Sequence, residues 1–158
     1  MAFDVLFDVA AAARWQSSGS GLVDWLTGLG LDGVAEILMR LKMSTDPGLR
    51  WGLNNAMWVM GVSSPTQVLA AFAPYTLEDI AQHIRADVLI LAGVEDHLVP
   101  LAQVEQFRAA LTNARSVTAI VYDAESGGKE HCQDGAVTLW QRDFFEWLVG
   151  KFPGSTPE

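Results

Sequence analysis

Residues 87–100 read Asp87-Val-Leu-Ile-Leu-Ala-Gly-Val-Glu-Asp-His-Leu-Val-Pro100, and this stretch decides the fold. Val88, Leu89, Ile90 and Leu91 form a continuous apolar run between Asp87 and Gly93. A run of that length, apolar on both faces, predicts a buried strand of a parallel sheet. The chain then turns at Gly93 and presents Glu95, Asp96 and His97, three side chains able to carry protons. Pro100 follows, suited to the first turn of a helix. In α/β proteins ligands bind outside the carboxyl ends of such strands, so the polar turn is a candidate site.

Downstream the texture repeats. The pattern predicts a helix over 101–112, a second strand over 117–122, a long polar loop over 123–134 and a last helix over 135–149. A strand–helix–strand crossover brings both strand ends to one rim of the sheet. The loop after the first strand holds Asp96 and the loop after the second holds His131, 35 residues on. An aspartate there accepts an imidazole N–H, fixes the tautomer and leaves the other ring nitrogen as a general base. The same two residue types also read as a plain polar pair on the surface. Glu95, His97 and Glu130 read as solvated loop residues, and His83 as a cation near a helix C-terminus. A metal set of Asp96, His97, Glu130 and His131 is the weaker alternative, because the spacing fits no ligand motif. We expect no metal and no cofactor.

Upstream, residues 1–84 read as helical. Residues 1–16 fit one apolar helix, 16–21 a flexible loop, and 22–29 a short helix. Val34, Ile37, Leu38 and Leu41 recur at helical spacing. Asp46-Pro47-Gly48 starts a helix over 49–60 that carries Trp51, Asn54, Asn55, Met57 and Trp58, readable as pocket lining or as packing. Ser64-Pro65 starts the next helix, and Thr76-Leu77-Glu78-Asp79 has the form of an N-cap. Domain bounds are therefore 1–84 helical, 85–150 βαβα and 151–158 a disordered tail.

Composition narrows the partners. The net charge is −9 over 158 residues, which disfavours nucleic acid and anionic membranes. No apolar run approaches the roughly 18 residues of a membrane span, and Asp4 and Asp8 stand where a signal peptide carries cations. A cytoplasmic protein is expected. Cys132 is the one cysteine, so an internal disulfide is excluded; beside His131 it reads as a small buried residue starting the last helix. Hydrophobic residues make up 50% against 18% charged, which is apolar for so small a domain. Two strands and one crossover helix do not close a core, so the open sheet edge calls for a covering partner.

A nucleophile is not evident. Gly61-Val-Ser-Ser-Pro65 superficially follows the G-x-S-x-G turn, but helix precedes it and proline replaces the closing glycine, so Ser63 or Ser64 reads as a cap. Ser20 lies in a loop with no strand before it.

Taken together these segments carry a family resemblance. LILAGVEDHLVP over 89–100 resembles the strand and acid loop of α/β-hydrolase enzymes, and ESGGKEHCQ over 125–133 their histidine loop. LRWGLNNAMWVMGVSSP over 49–65 and YTLED over 75–79 resemble the cap region of the esterase and C–C hydrolase group that includes 2,6-dihydroxypseudooxynicotine hydrolase. The likeness runs from about Leu49 to Leu148. It implies a partial α/β-hydrolase fold, with Asp96 as acid and His131 as base of a serine triad acting on an ester or on a C–C bond beside a carbonyl. Trp51, Asn54, Asn55 and Trp58 would be substrate contacts in the cap. The implied serine turn precedes the cap in that family, and here it has no counterpart. The chain thus reads as the C-terminal part of such an enzyme, inactive alone, whose full-length parent binds a small-molecule substrate. The other reading is a non-catalytic module that pairs through its sheet edge with an N-terminal hydrolase half or a second copy.

Overall fold

The computed structural model describes residues 1–16 and 20–152. In chain order the elements are β1 (Ala2–Phe3), α1 (Val9–Gln16), α2 (Ser20–Gly28), α3 (Asp32–Thr45), α4 (Pro47–Met60), α5 (Pro65–Phe72), β2 (Asp87–Gly93), α6 (Ala102–Ala110), β3 (Ser116–Tyr122) and α7 (Val137–Lys151). Single 3-10 turns at Ala81–His83 and His131–Gln133 interrupt the loops. The chain divides into two compact units, Met1–Phe7 with Leu77 onward, and Asp8–Thr76.

The first unit is a three-stranded parallel sheet in the order β1-β2-β3. β2 is its centre because six of its seven residues are buried. Alternation along β2 serves two cores. Val88, Ile90 and Ala92 pack with Val104, Phe107 and Leu111 of α6 and the following turn. Leu89 and Leu91 face the other way, toward Tyr122 and the partly buried Leu139, Trp140, Phe144 and Trp147 of α7. A strand apolar on both faces needs a helix on each face, and the sequence supplies both. Burying a side chain such as Leu89 or Leu91 contributes on the order of 1.5–3 kcal/mol.

The second unit is all helical. Asp46 accepts from the Leu49 amide at the start of α4, and Ser64 from the Thr66 amide at the start of α5, each with proline in the first turn. α4 ends on Gly61 in the left-handed conformation, φ 66°, which glycine adopts at no steric cost. Ala35 and Met43 of α3 turn inward, Ala35 against Val23 and Leu26 of α2. The stripe Val34, Ile37 and Leu41 is exposed. Both stripes have helical spacing, so periodicity places the helix but does not choose its inner face. The Glu36 carboxylate receives the Ser64 hydroxyl and Arg40 Nε.

Several expectations are corrected here. Residues 1–16 are not one helix: Ala2 and Phe3 add a third strand, and helix begins at Val9. Asp4 breaks the run with φ 43°, and two residues are too few to show a period. The N-cap at Thr76 leads only to a 3-10 turn at 81–83. The last helix continues through Lys151, whose Nζ donates to Ser116 Oγ at 2.6 Å and to Asp87 Oδ1 at 3.2 Å. Residues 17–19 of the expected flexible loop, and the tail 153–158, lie outside the described residues. No described helix is long and apolar enough to cross a membrane.

Candidate functional site

Because the three strands are parallel, their carboxyl ends share one rim. Asp4 follows β1, Asp96 lies in the turn after β2, and His131 in the loop after β3. The register Phe3↔Leu91 and Gly93↔Tyr122 sets these ends level.

Asp96 is built into its turn. One carboxylate oxygen, Oδ1, accepts from the amides of Leu98 at 2.7 Å and Val99 at 2.9 Å. The other, Oδ2, lies 2.8 Å from Nδ1 of His131. The Asp96 side chain is 2% exposed, the His131 ring 29%. Burial opposes the charge on Asp96. The bonds from His131 and from the Val99 and Leu98 amides outweigh it and hold the carboxyl below the usual carboxylate range. A carboxylate so fixed orients Nδ1–H and leaves Nε2 as the free ring position. Among the described residues Nε2 takes no hydrogen bond.

The histidine loop is laid against the end of β2. Glu95 N donates to Lys129 O at 2.9 Å, and Val94 N to Tyr122 O at 2.9 Å. Gly93 is required where these strands of backbone meet, since a Cβ there would sit 2.2 Å from the Lys129 carbonyl oxygen. His131 itself opens a 3-10 turn whose next two residues, Cys132 and Gln133, hold φ 54° and 48°. Positive φ is uncommon in residues other than glycine, and here two stand in succession beside the dyad.

Sequence reasoning did not find Asp4. Its side chain is 1% exposed, Oδ2 accepts from Cys132 N at 2.5 Å and lies 3.8 Å from His131 Nδ1. Oδ1 has no hydrogen-bond partner among the described residues. Burial, foremost, and the nearby charge of Asp96 raise its pKa above the ordinary value, against lowering by the Cys132 amide and His131. A signal was present: an apolar pair followed by aspartate, the short form of the pattern in 87–96. Gln133, 0% exposed with neither side-chain amide atom hydrogen-bonded among the described residues, was also missed.

The remaining candidates separate. His97 is exposed, with its ring centroid 6.0 Å from that of His131. Glu95 pairs with Lys129 at 2.6 Å, and Glu130 stands 3.9 Å from the same ammonium. Cys132 is an exposed residue and precedes the last helix, contrary to the buried helix-start expected of it; its thiol stays within 4.8 Å of donor atoms of Asp4 and His131. His83 ends a 3-10 turn and is exposed. The metal set of Asp96, His97, Glu130 and His131 does not gather. The described donors that do approach within 4.8 Å of one another are on Asp4, His131 and Cys132. Trp51, Asn54, Asn55 and Trp58 form one exposed stripe of α4, Trp51 at 72% and Trp58 at 82%. Ser64 is a helix cap, as expected.

Beside the dyad lies a recess of about 730 Å³, with His131, His97 and Cys132 on its polar side and Phe3, Leu98 and Trp140 on its apolar side. Phe3 and Trp140 pack with ring centroids 5.0 Å apart.

Two curated relatives align with nearly all of this chain. The protein named hydrolase acrC from Aspergillus aculeatus is 22% identical over 152 residues, which are 94% of this chain and 36% of that protein. The protein named hydrolase LUC6 from a Fusarium species is 26% identical over 154 residues, 93% of this chain and 35% of that protein. The chain thus spans about a third of the length of these relatives, and the likeness supports a hydrolase relationship. No protein family profile and no solved structure matches it.

Proposed function

We propose that this chain carries the acid and the base of a serine-type hydrolase of α/β-hydrolase architecture, Asp96 being the acid and His131 the base. One observation carries the reading: Nδ1 of His131 meets Oδ2 of Asp96 at 2.8 Å across the ends of two neighbouring parallel strands. The likeness to two proteins named hydrolases supports the reaction class.

In this reading Nε2 takes the proton of a serine hydroxyl as its oxygen attacks a carbonyl carbon. Asp96 stabilises the imidazolium, which then protonates the leaving group. The substrate is an ester, or a ketone whose C–C bond beside the carbonyl is cleaved. The hydroxyls of Ser64, Ser116 and Ser126 are engaged with Glu36, Asp87 and Asp123. The nucleophile and the oxyanion-hole donors come from sequence outside this chain, within a polypeptide of the relatives' greater length. Alone, the chain retains little of the catalysis.

The test is to read the coding frame on both sides of this chain and express the continuous frame found there. Nitrophenyl esters are then assayed with wild type, His131→Ala and Asp96→Asn. Losses in kcat of about 10³-fold or more in both variants are expected. Unchanged kcat in His131→Ala overturns the proposal. Rapid turnover by the 158-residue chain itself, abolished in His131→Ala, overturns only the external nucleophile.

A further inference from the structure

The most unusual group in the sheet unit is the Asp4 carboxyl. It is buried, one oxygen has no hydrogen-bond partner among the described residues, and the other meets the loop 128 residues away in sequence. Among the described residues the non-glycine residues of positive φ are Asp4, Cys132 and Gln133, and the Asp4–Cys132 bond joins two of them directly. A turn with two successive left-handed residues is held by its surroundings rather than by local preference. The described contact that holds this one from β1 is Asp4 Oδ2 on the Cys132 amide. The same oxygen lies 3.8 Å from Nδ1 of His131, behind the Asp96 bond.

We propose that Asp4 is a positioning residue for His131: through the Cys132 amide it pins the turn that bears the imidazole, and it sets a second buried carboxylate behind Nδ1. The consequence for catalysis rests on the reading of His131 as the base. The clamp itself rests on the geometry of β1 and the loop.

Two carboxylates around one imidazole divide the work. Asp96, with both oxygens bonded, selects the tautomer. Asp4 fixes the backbone and adds charge where an imidazolium forms. The ionisable groups that bear on Asp4 are Asp96, His131 and Cys132, and Asp134 also bears on Cys132. Burial, and next the charge of Asp4, push the Cys132 thiol up, so this exposed single cysteine reports on Asp4.

The experiment uses the 158-residue chain and needs no turnover. Wild type, Asp4→Asn and Asp4→Ala are compared by hydrogen exchange at the Cys132 amide and by the pH dependence of Cys132 alkylation with iodoacetamide. Asparagine keeps an acceptor for the amide and loses the charge. Asp4→Asn should hold Cys132 amide protection within about threefold of wild type, yet move the alkylation profile to lower pH by half a unit or more. Asp4→Ala should lose at least tenfold in protection. Unchanged protection in a cooperatively melting Asp4→Ala overturns the clamp. An Asp4→Asn alkylation profile that overlays wild type overturns the buried charge. If Asp4→Ala does not fold, Asp4→Asn decides both points, since loss of protection there would show that a neutral acceptor cannot replace the carboxylate and would overturn the division of roles. A failed hydrolase assay leaves these readouts standing, and a failed clamp leaves the dyad standing.

Discussion

Gly93 and Lys129 touch backbone to backbone: a Cβ on Gly93 would fall 2.2 Å from the Lys129 carbonyl oxygen and 2.7 Å from that of Glu130. Both obstacles are main chain, so no side chain can swing aside. Gly93→Ala must push the 129–131 segment off the end of β2, breaking the Glu95–Lys129 backbone bond and moving His131 from Asp96. Overpacking of this kind costs about 1–3 kcal/mol. Urea melts should show that loss. Ring nitrogen NMR of His131 should show loss of the single Nδ1–H tautomer. A variant as stable as wild type with an unaltered ring spectrum would mean the loop has slack there.

Asp96→Asn should make stability insensitive to a pH window in which wild type is sensitive. The folded carboxyl is held below its usual range, so its contribution is full above the unfolded value of about 3.9 and is lost as pH falls through the folded value. Hydrogen bonds to a charged group contribute about 1.5–3 kcal/mol. Asparagine still accepts from Leu98 and Val99 and loses the charge toward His131. The gap between wild type and variant should be widest near pH 7 and close toward pH 3. A gap constant over that range in denaturant titrations would place the effect in packing instead.

The parts of this architecture legible in the sequence are those whose local pattern and tertiary fate agree. Residues 88–91 are apolar on both faces and are buried on both, so β2 and its polar turn could be read directly. Parallel pairing with β3 then placed Asp96 and His131 on one rim without reference to side-chain geometry. β1 was not legible because two residues carry no period, and its existence depends on Leu91 offering a carbonyl to Asp4 N at 2.9 Å. Missing β1 meant missing Asp4. Cys132 was misplaced for a related reason: its φ of 54° is set by contacts distant in sequence, and composition predicts burial for cysteine by default.

Tyr122→Phe probes the other side of the sheet. The phenol is 3% exposed as a residue and donates to Asp143 Oδ2 on α7 at 2.9 Å. Removing it should cost about 1 kcal/mol and leave Asp143 without this donor. Burial, with the Asp143 bond and charge after it, raises the phenol above its ordinary value. The hydroxyl's contribution is therefore full below the unfolded value of about 10 and is lost as pH rises through the folded value. Melts at pH 7 and pH 10.5 should show the deficit at the first and its narrowing at the second. A deficit that grows with pH would contradict the assignment.

Phe3→Ala tests whether β1 is held by its ring or by its backbone. Phe3 packs on Trp140 with centroids 5.0 Å apart and is partly buried against the Leu89–Leu91 face. Backbone pairing of a two-residue strand is weak support by itself. Truncating the ring should cost roughly 2 kcal/mol, under the 3–5 of a fully buried phenylalanine. The loss should be local first. Exchange at Asp4 N and Cys132 N should accelerate together, because β1 places Asp4, the residue after it, whose carboxylate holds the loop, while amides in the centre of β2 keep their protection up to the global limit. Equal acceleration at Leu89 and Ile90 would mean that β1 is an integral part of the core and not a strand docked by one ring.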